Sequence, residues 1–256
     1  MQERYLGDAH DFIKFGLLFH LQRELRVRVG VNWYKTDPTR VDKPKNNDGE
    51  KRSHIKRPTA REKDGVWRKW NGVLFDQLEP LQDPTFRTFE NFQASGILPS
   101  NTLYFERELR PEADREKWHS EAVAELSSAD LIFLDPDNGF QVSSCTQRTR
   151  PKYTTYSEAR SYVRGGKIVV GIQFARQCDP EIRGDEVRAE LMREEGSSSK
   201  LPILRGRLTP NILFLTLCPR ERAREVQNAL TSFAARSPNF RDRKNQTNTT
   251  RVEIIP

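Results

Sequence analysis

A short apolar run that ends abruptly in turn residues constrains this chain more than any other segment. The run covers residues 131–134 and is followed by Asp-Pro-Asp-Asn-Gly at 135–139. An apolar run of that length, closed by turn residues, predicts a buried strand of a parallel sheet. Because proline cannot donate to the ladder and Asn-Gly readily takes positive φ, strand pairing is expected to stop at Asp135.

Three polar side chains, Asp135, Asp137 and Asn138, are thereby placed at the carboxyl end of a predicted strand. In open α/β sheets ligands bind at that edge. Two buried carboxylates without partners would be strongly unfavourable, so a cation, a hydrogen-bond donor or a substrate amine is expected beside them. The alternative is a turn whose Asp and Asn cap the next segment, but a cap needs only one such side chain. We therefore treat all three as candidate catalytic residues.

Helical and strand patterns alternate along most of the sequence. Apolar residues recur at helical spacing from Asp8 to Arg26, and the run 27–34 predicts the first strand. Further helices are predicted at 66–81, 111–126, 157–164, 179–195 and 219–235, and further strands at 85–89, 101–105, 167–174, 201–208, 211–217 and 252–255. That order predicts a single α/β domain over residues 1–256, with a mainly parallel sheet, helices on both faces and an antiparallel C-terminal end.

The net charge of +7 is concentrated in two segments. Residues 39–69 hold eleven Lys or Arg against five Asp or Glu, and residues 236–251 hold five against one. We interpret 39–65 as a basic loop insertion and 236–251 as a basic C-terminal segment. Such clusters favour a polyanion partner, nucleic acid above all, although a merely solvated loop is the alternative. The candidate nucleic-acid-binding residues are Lys51, Arg52, Lys56 and Arg57, which lie between Trp33 and Trp67 in the sequence.

Cysteine and histidine are sparse. The three cysteines form no Cys-x-x-Cys pair and the chain has four histidines, so no zinc site is predicted. The longest apolar stretches have the length of strands, so no membrane span is expected. These features favour a soluble, cytoplasmic protein with reduced thiols.

Two motifs carry a resemblance to a known class of enzymes. Gly-Asp-x-x-Asp-Phe-x-Lys covers 7–14, and Asp-Pro-Asp-Asn-Gly covers 135–139. With the order of elements, they resemble class I (Rossmann-like) S-adenosylmethionine-dependent methyltransferases, most of all those that modify adenine in RNA or DNA. The first motif is similar to the Gly-Asn-x-x-Asp-x-x-Lys-His opening of bacterial ribosomal-RNA adenine methyltransferases. Both motifs together also resemble a family of bacterial and phage proteins.

The resemblance implies a Rossmann-like sheet in which the run 131–134 is the fourth strand. It also implies that Asp135 and Asn138 orient an exocyclic amine of a base, that Asp137 assists, and that S-adenosylmethionine is the cofactor. The basic loop would hold the phosphate backbone. The residues that would line the cofactor pocket are Asp8, Asp11, Lys14, Tyr34, Asp37 and Glu90.

The sequence departs from this pattern in two places, which keeps other functions open. The turn at 32–38 has no glycine pair, and Asp137 and Asn138 replace the second proline and the aromatic residue of the catalytic motif. One alternative is a metal-dependent nuclease or phosphotransfer enzyme, in which Asp135 and Asp137, with Asp37 and Asp48, hold a divalent metal. Another is a non-catalytic nucleic-acid-binding module that uses only the basic loop.

Overall fold

A mixed seven-stranded sheet forms the centre of the fold. The computed structural model describes residues 1–43, 52, 66–193, 200–208, 210–241 and 248–255. The strands are β1 (Val29–Asn32), β2 (Leu103–Phe105), β3 (Leu131–Leu134), β4 (Gly139–Phe140), β5 (Tyr153–Thr154), β6 (Ile168–Ala175), β7 (Ile203–Gly206), β8 (Asn211–Leu217), β9 (Asn239–Arg241), β10 (Asn248–Thr250) and β11 (Val252–Ile255). The order across the main sheet is β2-β1-β3-β6-β8-β7-β11, and β4 with β5 and β9 with β10 form two separate pairs.

The main sheet has a parallel half and an antiparallel half. Strands β2, β1, β3 and β6 run parallel to one another. The remaining neighbouring pairs across the sheet are antiparallel: β6 with β8, β8 with β7, and β7 with β11. The predicted antiparallel C-terminal end is confirmed, but "mainly parallel" holds only for the first half of the sheet.

Helices cover both faces of the sheet, as predicted. They are α1 (Ala9–Leu25), α2 (Pro38–Val41), α3 (Val66–Trp70), α4 (Gly72–Leu78), α5 (Phe89–Ala94), α6 (Arg115–Glu125), α7 (Tyr156–Arg164), α8 (Pro180–Leu191) and α9 (Ala223–Ala235). Leu131 and Phe133 of β3 join the core under α1 and α9, whereas Ile132 and Leu134 join the core under α6, α7 and α8. This alternation is the period of two that a strand imposes. Among the described residues no helix combines the length and apolarity that a bilayer crossing requires.

Two predicted elements were wrong. Residues 85–89 form no strand, because two capping side chains begin helical turns there. Asp83 accepts a hydrogen bond from Thr85 N and begins a 3-10 turn. Thr88 accepts one from Asn91 N and begins α5. The helix predicted over 66–81 is divided at Asn71, whose side chain caps α4 by accepting from Leu74 N. The strand before Asp135 is therefore the third in chain order and not the fourth.

The chain reverses direction across the sheet next to β1. From β1 it passes to β2 on one side, and β3 then pairs with β1 on the other side. Such a topological switch point leaves a crevice outside the carboxyl ends of the strands, where ligands of open α/β sheets bind. Pairing in β3 ends at Leu134, so Asp135 enters this edge as predicted.

Candidate functional site

A cavity of about 490 Å³ opens at the carboxyl ends of β3 and β6. Pro136, Asp137 and Asn138 form one wall, and the first turns of α1 supply Asp8 and Lys14. The predicted proximity of the polar strand end and the first helix is thus present in the fold. The end of β6 with the turn after it, and the start of β8, form further walls. The lining residues there are Phe174, Arg176, Gln177, Cys178 and Asn211, and Tyr5, His10 and Lys152 complete the cavity from other elements.

The motif at 7–14 builds the start of α1. Asp8 is the N-cap, and its carboxylate accepts from His10 N at 2.8 Å and from Asp11 N at 3.0 Å. Gly7 has a φ of +78°, and its N–H donates to Asp11 Oδ2 at 2.9 Å. Asp11 Oδ1 in turn accepts from Lys14 Nζ at 3.0 Å. Four of the five fixed positions of the motif therefore belong to one compact hydrogen-bond network, and the fifth, Phe12, packs in the core against Trp67 and Trp70.

Lys14 bridges the helix and the end of β3. Its Nζ lies 2.8 Å from Asp135 Oδ1, and both side chains are buried. Neither Asp135 oxygen has a hydrogen bond of good geometry within the described residues, so its contact with Lys14 is chiefly electrostatic. Asp135 is fully buried and is not among the residues lining the cavity. It therefore lies behind the wall and holds Lys14 in place.

Burial and charge shift the titration of this cluster. Burial raises the pKa of Asp11 to about 7, and burial also raises the pKa of Asp135. Burial disfavours the charge of Lys14, but attraction to Asp135 and Asp11 outweighs it and raises the pKa of Lys14. The ammonium is therefore charged at neutral pH, whereas the two carboxylates compete for a single cation.

The polar wall is fixed to both neighbouring strands. Asp137 Oδ2 accepts from Thr36 Oγ1 at 3.0 Å, and the carboxamide of Asn138 has no hydrogen-bond partner in the described part of the chain. Gly139 follows with a φ of +94°; a Cβ there would meet Gln173 Cα at 2.9 Å. Gln173 Oε1 accepts from Phe140 N at 2.9 Å. Gln173 is a positioning residue that the sequence reasoning missed, although a buried polar residue within an apolar strand is a detectable signal.

The far side of the cavity carries an aromatic ring and cations. The ring of His10 meets Phe174 edge to face at 5.2 Å, and the Arg176 guanidinium lies 5.4 Å from the Phe174 ring centroid. Lys152 is buried and its Nζ lies 2.6 Å from Asp42 Oδ1. No local pattern predicts this pair, because its members are 110 residues apart. The cavity thus combines carboxamide and carboxylate acceptors, the aromatic rings of Tyr5 and Phe174, and positive charge at Arg176.

The turn after β1 does not fit S-adenosylmethionine in the place that the resemblance implies. Trp33 and Tyr34 are fully buried there, so their side chains take the space that a glycine turn would leave for a ligand. Met1, itself buried, lies between the two strand ends: its nitrogen donates to Tyr34 O and lies 3.4 Å from Asp137 Oδ1, and its carbonyl accepts from Thr36 N at 3.1 Å. A methyl donor would therefore have to bind elsewhere than at the turn after β1.

Two further predicted pocket residues are located elsewhere. Glu90 lies in the first turn of α5 and is exposed, because the strand that was expected to precede it does not form. Asp37 caps α2 and lines a separate cavity of about 370 Å³ beside Thr36 and Glu108. The acids that follow β2 in the described structure are Glu106 and Glu108, and Glu108 lines this second cavity.

Tyr34 takes part in a buried hydrogen-bond network and does not reach the main cavity. Its hydroxyl donates to Glu158 Oε2 at 3.0 Å, and Arg115 donates to both oxygens of Glu158 at 2.6 and 2.9 Å. Burial opposes ionisation of Glu158, but the hydrogen bonds and charge of Arg115 outweigh it and lower the pKa of Glu158. The network is a structural link between β1, α6 and α7.

Glu158→Gln is expected to lower the free energy of unfolding at pH 7 by about 1–3 kcal/mol. A carboxyl whose folded pKa is depressed contributes stability above its unfolded pKa, and this contribution disappears as pH falls through the folded value. The difference in unfolding free energy between Glu158→Gln and the parent protein should therefore become smaller below about pH 4. Urea unfolding at several pH values measures it; a difference that stays constant down to acidic pH would contradict the assignment.

The basic-loop residues are only partly within the described structure. Lys51, Lys56 and Arg57 lie outside the described residues, as does Asp48. Arg52 is buried, and its guanidinium donates to the carbonyl oxygens of Leu81, Arg4 and Leu6. Arg52 therefore binds backbone of this chain and is not placed as a surface contact for phosphate.

The described side chains at the carboxyl end of β3 do not favour a divalent-metal site. Within the described ranges no group of three or more His, Cys, Asp or Glu side chains is close enough to hold a metal ion. Lys14 takes the position beside Asp135 that a bound cation would otherwise take.

Comparisons with known proteins give no relative from which a role could be transferred. No protein-family model, no curated protein and no solved structure matches this chain. What the chain can bind must therefore be argued from the cavity itself.

Proposed function

We propose that this chain acts on nucleic acid and receives one nucleobase, through its exocyclic amine, in the cavity at the ends of β3 and β6. The observation that carries the proposal is the position of Asp137 and Asn138 on the cavity wall. Asp137 Oδ1 is buried and lies 3.4 Å from the Met1 ammonium, but it accepts no hydrogen bond of good geometry in the described structure, and the Asn138 carboxamide is unengaged there. A buried acceptor without a hydrogen bond is unfavourable, so an amine N–H supplied by a ligand completes it.

The other walls support a planar ligand attached to a phosphate chain. Phe174 and Tyr5 offer rings on which a base can stack. Arg176 is exposed at the edge of the cavity, where a phosphate of the same strand would lie. The size of the cavity, about 490 Å³, is in the range of small-molecule sites.

Base recognition can be measured with short single-stranded oligothymidylates that differ only at one central base. Adenine or cytosine at that position should bind at least about tenfold more tightly than hypoxanthine or thymine, because only the first two present an amine where Asp137 and Asn138 can accept. Asn138→Ala should remove most of that preference. Asn101→Ala, at an exposed turn before β2, is the matched control and should retain it. Equal affinity for all four bases in the parent protein would refute the proposal.

Methyl transfer to the bound amine is a second candidate, and the position of Asp-Pro-Asp-Asn on the cavity wall favours it. An acceptor on the amine hydrogen raises the nucleophilicity of the nitrogen, which is what an amino-methyltransferase requires. Incubation of the protein with labelled S-adenosylmethionine and the adenine or cytosine oligonucleotide tests this candidate separately. Label that enters the oligonucleotide, and enters less with Asn138→Ala, would support it; base-selective binding without any transferred label would leave base recognition alone.

A further inference from the structure

Lys14 has one N–H bond that this chain does not use within the described residues. An ammonium carries three donors. One donates to Asp11 Oδ1 at 3.0 Å, and the ammonium also lies 2.8 Å from Asp135 Oδ1, so both contacts hold it on the side of α1 and the end of β3. Lys14 lines the cavity although only 4% of the residue is exposed. The remaining N–H bond can therefore reach an acceptor only from a ligand in the cavity, as far as the described residues show.

The surroundings of Lys14 determine which acceptor that donor suits. Asp11 and Asp135 already offset the charge of Lys14, Asp8 is the N-cap of the same helix, and the neighbouring Met1 ammonium is paired with Asp137. A phosphate or carboxylate placed there would meet more negative than positive charge in a buried setting, which is unfavourable. A neutral acceptor, such as a ring nitrogen or carbonyl oxygen, gains the hydrogen bond without that repulsion.

We infer that Lys14 is a specificity-determining residue that donates to the unprotonated ring nitrogen next to the amine of the bound base. This inference rests on the proposed function. Asp137 and Asn138 accept from the amine, and Lys14 donates to the adjacent ring nitrogen. Together they form an acceptor-and-donor pair, which matches adenine and cytosine. In the same orientation guanine presents the carbonyl at C6 and the protonated N1, and uracil presents the carbonyl at C4 and the protonated N3, so neither base matches this pair.

Removal of single ring nitrogens from the ligand tests this inference without changing the protein. In the central position of the oligothymidylate, 1-deazaadenine keeps the amine but lacks the ring nitrogen beside it. We expect it to bind about tenfold or more weakly than adenine, the ordinary effect of losing a hydrogen bond to a charged donor. The control is 7-deazaadenine, which loses a nitrogen remote from Lys14 and should bind like adenine.

A protein variant provides the second measurement. Asp11→Asn combined with Lys14→Gln leaves the local net charge unchanged, and it should bind adenine and 1-deazaadenine with affinities within a factor of about two. Equal binding of adenine and 1-deazaadenine by the parent protein would overturn the role of Lys14 while leaving base recognition through the amine intact. No preference for adenine over hypoxanthine would overturn the proposed function and this inference with it.

Discussion

Lys14→Met is expected to lower the free energy of unfolding by about 3–5 kcal/mol at pH 7. The substitution keeps much of the side-chain volume but leaves Asp11 and Asp135 buried without a counter-charge. Urea unfolding with an unchanged m-value measures the loss as a shift of the midpoint. Lys117→Met is the matched control, because Lys117 is exposed on α6 and its loss should change stability by less than about 0.5 kcal/mol.

The loss of unfolding free energy caused by Lys14→Met, called the deficit below, should depend on pH in a defined direction. Burial already raises the pKa of Asp11 to about 7 and raises that of Asp135, and loss of the ammonium raises both further. An acid with a raised folded pKa gains stability as pH falls, because the folded state then binds the proton more readily than the unfolded state. The deficit should therefore be smaller at about pH 5 than at pH 7. A loss no larger than that of Lys117→Met at both pH values would show that the buried ion cluster does not exist.

Gly139→Ala is expected to lower the free energy of unfolding by about 2–4 kcal/mol and to abolish base selectivity. Its φ of +94° disfavours any side chain, and a Cβ would meet Gln173 Oε1 at 2.7 Å and Gln173 Cα at 2.9 Å. Since backbone of β6 cannot move aside, the turn that carries Asp137 and Asn138 must shift. Thermal or urea unfolding and the oligonucleotide titration measure the two effects.

Gly96→Ala separates backbone strain from crowding. Gly96 also has a positive φ, +67°, but no atom lies within 4 Å of an added Cβ. Its replacement should therefore lower the free energy of unfolding by only about 1 kcal/mol and leave base selectivity unchanged. If Gly139→Ala and Gly96→Ala behaved alike, the close approach between the turn and β6 would be disproved.

The sequence was sufficient for the elements that depend on local pattern. The run 131–134, closed by proline and Asn-Gly, gave β3 and its end correctly, and the spacing after Asp8 gave α1. It failed at 85–89, where the β-branched and aromatic residues suggested a strand. Asp83-Pro84 and Thr88 in fact begin helical turns there, since their side chains bind the following backbone N–H groups.

The site was predictable in outline but not in its partners. Phe133 faces α1, so the period of two already directs Asp135 toward that helix and toward Lys14. Nothing local could show that Asp135 lies behind the cavity wall while Asp137 and Asn138 line it. The contacts of Gln173 with Phe140, 33 residues away, likewise depend on the closed fold and not on neighbouring sequence.

The most direct test of the account is a crystal structure of the protein with the adenine-containing oligonucleotide. We expect the central base inside the cavity at the ends of β3 and β6, with its amine nitrogen within about 3.2 Å of an oxygen of Asp137 or Asn138. A complex in which that base lies outside the cavity, or inside it with the amine turned away from both residues, would contradict the account.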